Sequence, residues 1–122
     1  MKILLSIKPE YAEKILCGEK KYEFRRRIPT HDVDSILIYA SSPQSRVIGE
    51  VDVTMILSMP PKKLWIKTKE GAGISRTTFE NYFKDCSTAN AFVLGDFKKF
   101  KRPQRLTKYN IQHPPQSFVY IK

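Results

Sequence analysis

The feature that most constrains this chain is a helix stop followed at once by a charged strand, in the run from Gly18 to Arg25. Glycine at position 18 supplies the left-handed backbone conformation that ends many helices. After it, Lys21, Glu23, Arg25 and Arg27 fall at alternate positions, which places them on one side of a predicted strand. The fold must therefore set a short helix against the start of a strand, and the corner between them can bind an anion.

The flanking patterns predict a mixture of strands and short helices. Pro9 suits the first turn of a helix, and Tyr11 and Ile15 lie four residues apart on one face. Ser75 has the character of a helix N-cap, with Ile74 and Phe79 placed to pack around it. Strands are predicted over 2–7, 21–27, 35–40, 46–57, 89–97 and 117–121, and helices over about 9–17, 60–69 and 75–84.

Composition limits the class of protein. A chain of 122 residues predicts a single domain over 1–122, large enough to bury roughly two thirds of its unfolded surface without metals or disulfides. No apolar run approaches the roughly 18 residues of a membrane span, so we expect no membrane partner and a cytoplasmic protein. Lys and Arg number 22 against 12 Asp and Glu, and the resulting net charge of +10 favours nucleic acid as the partner.

Metal and thiol chemistry are not expected. Cys17 and Cys86 lie far apart in the sequence, outside any Cys-x-x-Cys pattern, and are predicted to be buried, reduced thiols. His31 and His113 complete no recognisable set of zinc ligands. We expect no metal and no cofactor, and the sequence leaves the oligomeric state open.

The run from Gly18 to Arg25 has the form Gly-x-Lys-x-x-Glu-x-Arg, with Gly18, Lys20, Glu23 and Arg25 at the fixed positions. This motif resembles the signature of the ASCH domain, a small β-barrel family related to the PUA RNA-binding fold. The strand and helix before the motif agree with that resemblance, as do the paired strands predicted near 38–43 and 48–51. The resemblance implies an α+β fold, a small PUA-like β-barrel of about five to seven mixed strands with two or three short helices.

The resemblance also implies a binding cleft built around the motif. Without the resemblance, the favoured interpretation is that Glu23 belongs to a ladder of surface ion pairs that contributes little to stability. With it, Lys20 and Arg25 are expected to contact phosphate or a base, and Glu23 to orient them or accept from a base amino group. The predicted partner is nucleic acid, with RNA favoured over DNA.

A second basic segment, Lys98 to Tyr109, contains six basic residues and no acid; we call it the late basic tract. A solvated face is the ordinary explanation, but Phe97, Phe100 and Tyr109 interleave with the charges, as in proteins that stack bases. If about five of its charges contacted single-stranded RNA, log K would fall with log salt at a slope near −3.5. The predicted nucleic-acid-binding residues are Lys20, Lys21, Glu23, Arg25, Ser41, Ser42, Arg76, Lys98, Lys99, Lys101, Arg102 and Arg105.

Catalysis is left open, with Lys20 and Glu23 as the candidate catalytic residues. One branch of the family resembles an amidohydrolase of acetylated cytidine, which uses the motif lysine together with a threonine where this chain has Glu23. The carboxylates of Glu19 and Glu23 are expected to raise the pKa of Lys20, which argues against that reaction here.

A ribonuclease is the other enzymatic alternative, because some ASCH proteins have been proposed to cleave RNA. His31 or His113 would supply the proton transfers beside Lys20 or Arg25, although both histidines lie next to turn-forming residues. The only acids suited to a two-metal site are Asp32 and Asp34 with Glu50 or Asp52. Trp65 is interpreted as a core anchor and, less favoured, as a stacking platform.

Overall fold

The computed structural model describes all residues from 1 to 122, and its six strands form one mixed sheet. The strands are β1 (Lys2–Ile7), β2 (Tyr22–Arg25), β3 (Ser35–Ala40), β4 (Arg46–Met59), β5 (Ala89–Gln104) and β6 (Phe118–Ile121). Their order across the sheet is β2-β5-β4-β3-β1-β6. β1 and β3 are parallel, and every other pair is antiparallel. The sheet curls into a half-barrel, which confirms the predicted α+β, barrel-like fold.

Three helices cover the sheet: α1 (Pro9–Leu16), α2 (Pro61–Thr68) and α3 (Arg76–Tyr82). A short 3-10 helix, Leu106–Tyr109, precedes β6. None of the helices combines the length and the apolar character that crossing a lipid bilayer requires. Ser75 caps α3 as predicted, since its side chain accepts a hydrogen bond from the Thr78 amide.

The longest strands, β4 and β5, pair along most of their length and hold the sheet together. Their register shifts at three places, which lets the two strands bend across the half-barrel. The sequence predicts a strand over 89–97, whereas β5 continues into the late basic tract and runs without a break to Gln104. Pairing with β4 explains this, because each stretch of β5 finds a partner in the same neighbouring strand.

Two apolar clusters meet beside β2 and thereby position the site. The first lies under α1 and includes Ile3, Ile15 and Ile36. The second packs α2 and α3 against β2 and β5, around Phe24 and Phe79. Helix α1 is amphipathic and buries Ala12, Ile15 and Leu16, as its spacing predicts.

Candidate functional site

A cleft of about 240 Å³ opens where α1, β2 and α3 meet. β2 is one edge of the sheet, and the end of β1 lies across the cleft from it. β6 pairs with β1 only as far as Leu5, so the backbone of Ser6 and Ile7 is left open on that side. The lining residues are Ser6, Ile7, Lys8, Tyr11, Lys20, Glu23, Phe24, Arg25, Ile74, Thr78 and Tyr82.

Lys20 is the most unusual residue of the cleft, because its side chain is only 2% exposed and it has no carboxylate within ion-pair distance. Its Nζ donates a hydrogen bond of 2.7 Å to the carbonyl oxygen of Ala72. The ammonium also lies 5.0 Å from the centre of the Phe24 ring and 5.6 Å from that of Tyr11. The negative faces of the two rings attract the cation, which partly offsets the loss of hydration.

Burial lowers the pKa of Lys20 to about 8, against the attraction of Glu23, which raises it. Lys14 and Arg25 lower it further by charge repulsion. The expectation that nearby carboxylates would raise this pKa is therefore wrong. Desolvation outweighs the carboxylate because the ammonium has left water, whereas Glu23 is already paired with another cation.

Glu23 and Arg25 form an ion pair one strand pleat apart in β2. The Nε and Nη2 atoms of Arg25 lie 2.9 Å and 2.8 Å from the same Glu23 oxygen, Oε2. Nη2 also donates to the carbonyl oxygen of Ser6 at 2.9 Å, so Arg25 joins the edge strand β2 to the end of β1. The guanidinium is fixed from two sides, which preorganises it for a ligand.

One oxygen of Glu23 is free for a ligand. Both bonds from Arg25 fall on Oε2, and Oε1 takes no hydrogen bond within the protein. Since no buried side-chain oxygen or nitrogen lacks a partner, Oε1 retains access to solvent. Glu23 lines the cleft, so a donor group of a ligand can reach Oε1 there.

The loop between α2 and α3 holds the motif segment in place through three consecutive carbonyl groups. The carbonyl of Gly71 accepts from the Lys21 amide at 2.8 Å, that of Ala72 from Lys20 Nζ, and that of Gly73 from Lys14 Nζ at 3.3 Å. Gly73 has φ of +72°, and a Cβ there would lie 2.5 Å from Cγ of Lys20. Only glycine both adopts this backbone and leaves space for the lysine stem.

Tyr82 lines the cleft and is itself held by Arg26. The guanidinium carbon of Arg26 lies 4.6 Å from the centre of the Tyr82 ring, and the Arg26 amide donates to the Tyr82 hydroxyl at 3.3 Å. Tyr11 also lines the cleft, and burial raises its pKa. The cleft thus combines aromatic walls with fixed donors and acceptors, as nucleobase pockets do.

Of the predicted binding residues, the structure brings together Lys20, Glu23 and Arg25. Lys21 is exposed and lies outside the cleft, and Ser41 and Ser42 form the turn after β3, where the Ser41 amide donates to the Ile7 carbonyl at 2.9 Å. Arg76 lies on another face of α3, 3.3 Å from Glu80. The residues on the distal part of β5 or just after it, away from the cleft lining, are Lys98, Lys99, Lys101, Arg102 and Arg105.

Sequence reasoning missed the aromatic and hydroxyl part of the site, namely Tyr11, Thr78 and Tyr82. In the sequence, Tyr11 is only a position on the apolar face of a predicted helix, and Tyr82 belongs to no motif. Thr78 and Tyr82 are four residues apart and share one side of α3, with Ile74 just before the helix, but this spacing does not indicate what that side faces.

The other catalytic alternatives find no support in the geometry. His31 and His113 are exposed and do not line the cleft. No group of three or more His, Cys, Asp and Glu side chains forms a possible metal site, and Glu50 is instead bound to Ser35 and Lys2. Cys17 and Cys86 are free thiols, but neither is fully buried as predicted: Cys86 is half-buried, and Cys17 is exposed because it lies just beyond the end of α1.

These features define a small half-barrel domain with a basic and aromatic cleft beside its first helix. The ASCH domain family model matches residues 5–104, and the chain belongs to this family. A protein of Zymomonas mobilis named "ASCH domain-containing ribonuclease" is 34% identical over 98% of this chain and 83% of its own length. The crystal structure of ASCH from Zymomonas mobilis superposes with a TM-score of 0.91 at 32% identity, covering 99% of this chain and 87% of that one.

Two matches are with much longer proteins of Ureaplasma parvum. The chain is 29% identical to a protein named ATP synthase subunit alpha, over 98% of this chain and 15% of that protein. It is 28% identical to a protein named large ribosomal subunit protein uL22, over 98% of this chain and 39% of that protein. The chain therefore spans well under two thirds of these relatives.

Proposed function

We propose that this ASCH domain binds single-stranded RNA and cleaves it at the cleft formed by Lys20, Glu23 and Arg25. The observation that carries the proposal is the buried Lys20 ammonium, which faces a cleft also lined by a fixed guanidinium and a carboxylate oxygen free to accept a proton. Burying a cation without a carboxylate partner lowers the stability of the fold, so groups of this kind concentrate at functional sites.

The size and walls of the cleft favour a single nucleotide as its occupant. A volume of about 240 Å³ admits one nucleoside but no duplex, whose bases are stacked and paired. Tyr11, Phe24 and Tyr82 offer aromatic surface to a base, while Lys20 and Arg25 offer donors to a phosphate. The substrate is therefore an unpaired nucleotide.

The residues supply a general base, a general acid and a charge stabiliser. Oε1 of Glu23 takes the proton of the ribose 2′-hydroxyl, and the 2′ oxygen forms a bond to phosphorus. The bond from phosphorus to the 5′ oxygen breaks, and Lys20 donates a proton to that oxygen. Arg25 stabilises the charge on the phosphoryl oxygens. The products are a 2′,3′-cyclic phosphate and a 5′-hydroxyl end.

The late basic tract extends the electrostatic attraction beyond the cleft. Its cations are exposed and, apart from Lys99, which pairs with Glu13 at 2.8 Å, form no ion pair. They attract the RNA backbone without reading its sequence. The relative named a ribonuclease supports this proposal, because the chain covers most of that protein.

The test compares Lys20→Met with Lys67→Met on a labelled single-stranded RNA. Methionine keeps most of the buried stem of Lys20 and removes its charge, and Lys67 is an exposed lysine of α2 outside the cleft. We expect Lys20→Met to lower the cleavage rate roughly 100-fold or more, as for loss of a general acid, with Lys67→Met unchanged. An RNA with 2′-O-methyl groups should bind and remain intact. Equal cleavage by both variants would refute the assignment.

A second candidate is an amidohydrolase of acetylated cytidine, which two observations favour. The pKa of Lys20 is lowered to about 8, so a neutral amine is accessible near physiological pH. The hydroxyl-bearing Thr78 of α3 also lines the cleft. The chain thus holds a lysine, a carboxylate and a threonine in one cleft, although the threonine comes from α3 instead of the motif.

The pH dependence separates the two reactions. A lysine that donates a proton loses activity as the pH rises through its pKa of about 8, because the ammonium is consumed. A lysine that acts as a nucleophile or base gains activity over the same interval. Rates measured across this range with RNA and with acetylated cytidine therefore assign the role of Lys20, and the absence of turnover with both substrates leaves RNA binding alone to be tested.

A further inference from the structure

A second groove, separate from the cleft, lies between α2 and α3. It encloses about 290 Å³ and contains three basic side chains and one acidic one. The residues that line it are Pro61, Lys62, Trp65, Ile66, Lys69, Arg76, Phe79 and Glu80. Lys62, Trp65, Ile66 and Lys69 follow one stripe of α2, at the spacing of a single helix face.

Trp65 forms the floor of this groove and is only partly covered by the protein. Its ring packs against Phe79 with centroids 5.1 Å apart and the planes tilted by 50°, and Phe79 is 1% exposed. The neighbouring Ile66 is 69% exposed. The indole is thus held by the core on one side while the groove gives access to the other. Trp65 is neither purely a core anchor nor a free side chain.

The charges around Trp65 are not neutralised within the protein. Lys62 and Lys69 are exposed and form no ion pair. Arg76 pairs with Glu80 at 3.3 Å, but both side chains are more than half exposed, and such a pair holds its partners weakly. An aromatic platform flanked by three cations complements a nucleobase with its phosphates on either side.

We infer that the groove between α2 and α3 is a second nucleotide-binding site, which stacks one base of single-stranded RNA on Trp65 and holds the adjacent phosphates with Lys62, Lys69 and Arg76. The excess of cations favours a polyanion over an apolar peptide. Helix α3 separates this site from the cleft, since Thr78 and Tyr82 face the cleft while Arg76 and Phe79 face the groove. The two sites therefore lie about one helix diameter apart, roughly 10–12 Å.

The chain contains one tryptophan, so its fluorescence reports on this groove alone. A short 2′-O-methyl oligoadenylate should quench Trp65, because a stacked base contacts the indole directly. Inorganic polyphosphate, which has charge but no base, should bind without the same quenching. Quenching should weaken as salt rises, with a slope near −2 for about three phosphate contacts on a single strand.

Matched substitutions on α2 separate the groove from general basicity. Lys62→Met with Lys69→Met removes two groove cations, whereas Lys63→Met with Lys67→Met removes two exposed lysines of the same helix outside the groove. We expect the first pair to weaken oligoadenylate binding and to reduce the salt slope by about 1.4, and the second to change the slope far less. Equal effects of the two pairs, or polyphosphate quenching equal to that of the oligonucleotide, would overturn the inference.

Trp65→Leu tests the stacking step with a labelled oligonucleotide whose anisotropy reports binding. The affinity at the groove should fall at least about fivefold. Because this change also removes the contact with Phe79, circular dichroism must first show that the variant is folded. If the variant is unfolded, the two pairs of lysine substitutions on α2 provide the test instead. Lys20→Met should leave quenching of Trp65 intact. If quenching of Trp65 is lost only in Lys20→Met, the oligonucleotide binds in the cleft and the inference is overturned. If Lys20→Met loses cleavage but keeps the quenching, the second site is supported independently of the cleft.

Discussion

The cleft and the late basic tract use their positive charges in opposite ways, although both lie along β5 and its neighbours. In the cleft, Lys20 is almost wholly buried, Arg25 is held by two partners, and the pKa of the lysine is lowered by desolvation. In the tract, Lys101 and Arg102 are exposed and unpaired. The surrounding residues thus hold the two cations of the cleft in place, whereas the cations of the late basic tract extend into solvent.

The number of positive charges in a segment and the location of a binding site are therefore separate properties of the protein. An exposed lysine costs little to maintain and contributes a salt-dependent attraction that acts on any polyanion. A buried lysine destabilises the fold unless its surroundings compensate, so its position must be built by several segments at once. Substitutions in the cleft and in the tract should therefore have different effects on stability and binding.

The largest effect on stability is expected from Gly73→Ala, which fills the space of the Lys20 stem. The new Cβ would lie 2.5 Å from Cγ of Lys20, at a residue with φ of +72°. Backbone strain and displacement of the lysine together should lower the free energy of unfolding by about 3 kcal/mol, measured by urea denaturation. Gly95→Ala is the control, because β5 has ordinary strand backbone there and the nearest atom is Thr54 Cγ2 at 3.1 Å. Equal destabilisation by the two changes would contradict the close packing of Gly73 against the side chain of Lys20.

A smaller effect is expected in the pH dependence of stability. The pKa of Lys20 is about 8 in the folded protein, whereas an unperturbed lysine, as in the unfolded chain, has a pKa of 10.5. Between these two pH values the unfolded chain therefore binds more protons than the folded protein does. Stability therefore rises with pH across this interval, as the cost of the buried charge disappears. Relative to Lys20→Met, the wild-type protein should gain about 2 kcal/mol between about pH 7 and about pH 9.5.

The same comparison made with Lys101→Met should show no such gain, because that lysine is exposed. Urea unfolding of the three proteins at matched pH values measures both differences. A flat difference between wild type and Lys20→Met would mean that the ammonium is better hydrated than its burial indicates.

The smallest effect on stability is expected from the tract. Replacing Lys98, Lys101, Arg102 and Arg105 together by Gln should leave the free energy of unfolding within about 1 kcal/mol, because these side chains are exposed and outside the ion pairs of the protein. The salt slope of RNA binding should become shallower by about 2.8 if all four contact phosphates. Cleavage at saturating RNA should be unchanged, and a loss of turnover there would place the tract in the reaction.

Much of the fold could be predicted because local patterns determine it. The proline at position 9 and the glycine at position 18 bracket α1, which ends one residue earlier than expected. Ser35–Ala40 matches its predicted strand, and Ser75 caps α3. β4 continues two residues further than predicted, to Met59, since β5 supplies pairing partners that a period-two pattern does not reveal.

The chemistry of the cleft could be predicted only in part. The motif identified Lys20, Glu23 and Arg25, but the sign of the Lys20 pKa shift depends on burial by Ala72 and Gly73, some fifty residues away in the sequence. The ring of Tyr82 enters the cleft because α3 packs on Phe24, which is a tertiary contact. Local sequence indicates which residues carry charge, whereas distant segments decide how much water surrounds them.

The three carbonyl groups from Gly71 to Gly73 are all bound to the segment from Lys14 to Lys21. Because three consecutive carbonyl groups of this loop are bound, a residue inserted among them would break at least one of these bonds and move the lysine with it. Length variation among proteins with this cleft should therefore collect in other connections, such as the exposed stretch from Thr30 to Asp32. The connection between α2 and α3 is in this respect the least free to change in length.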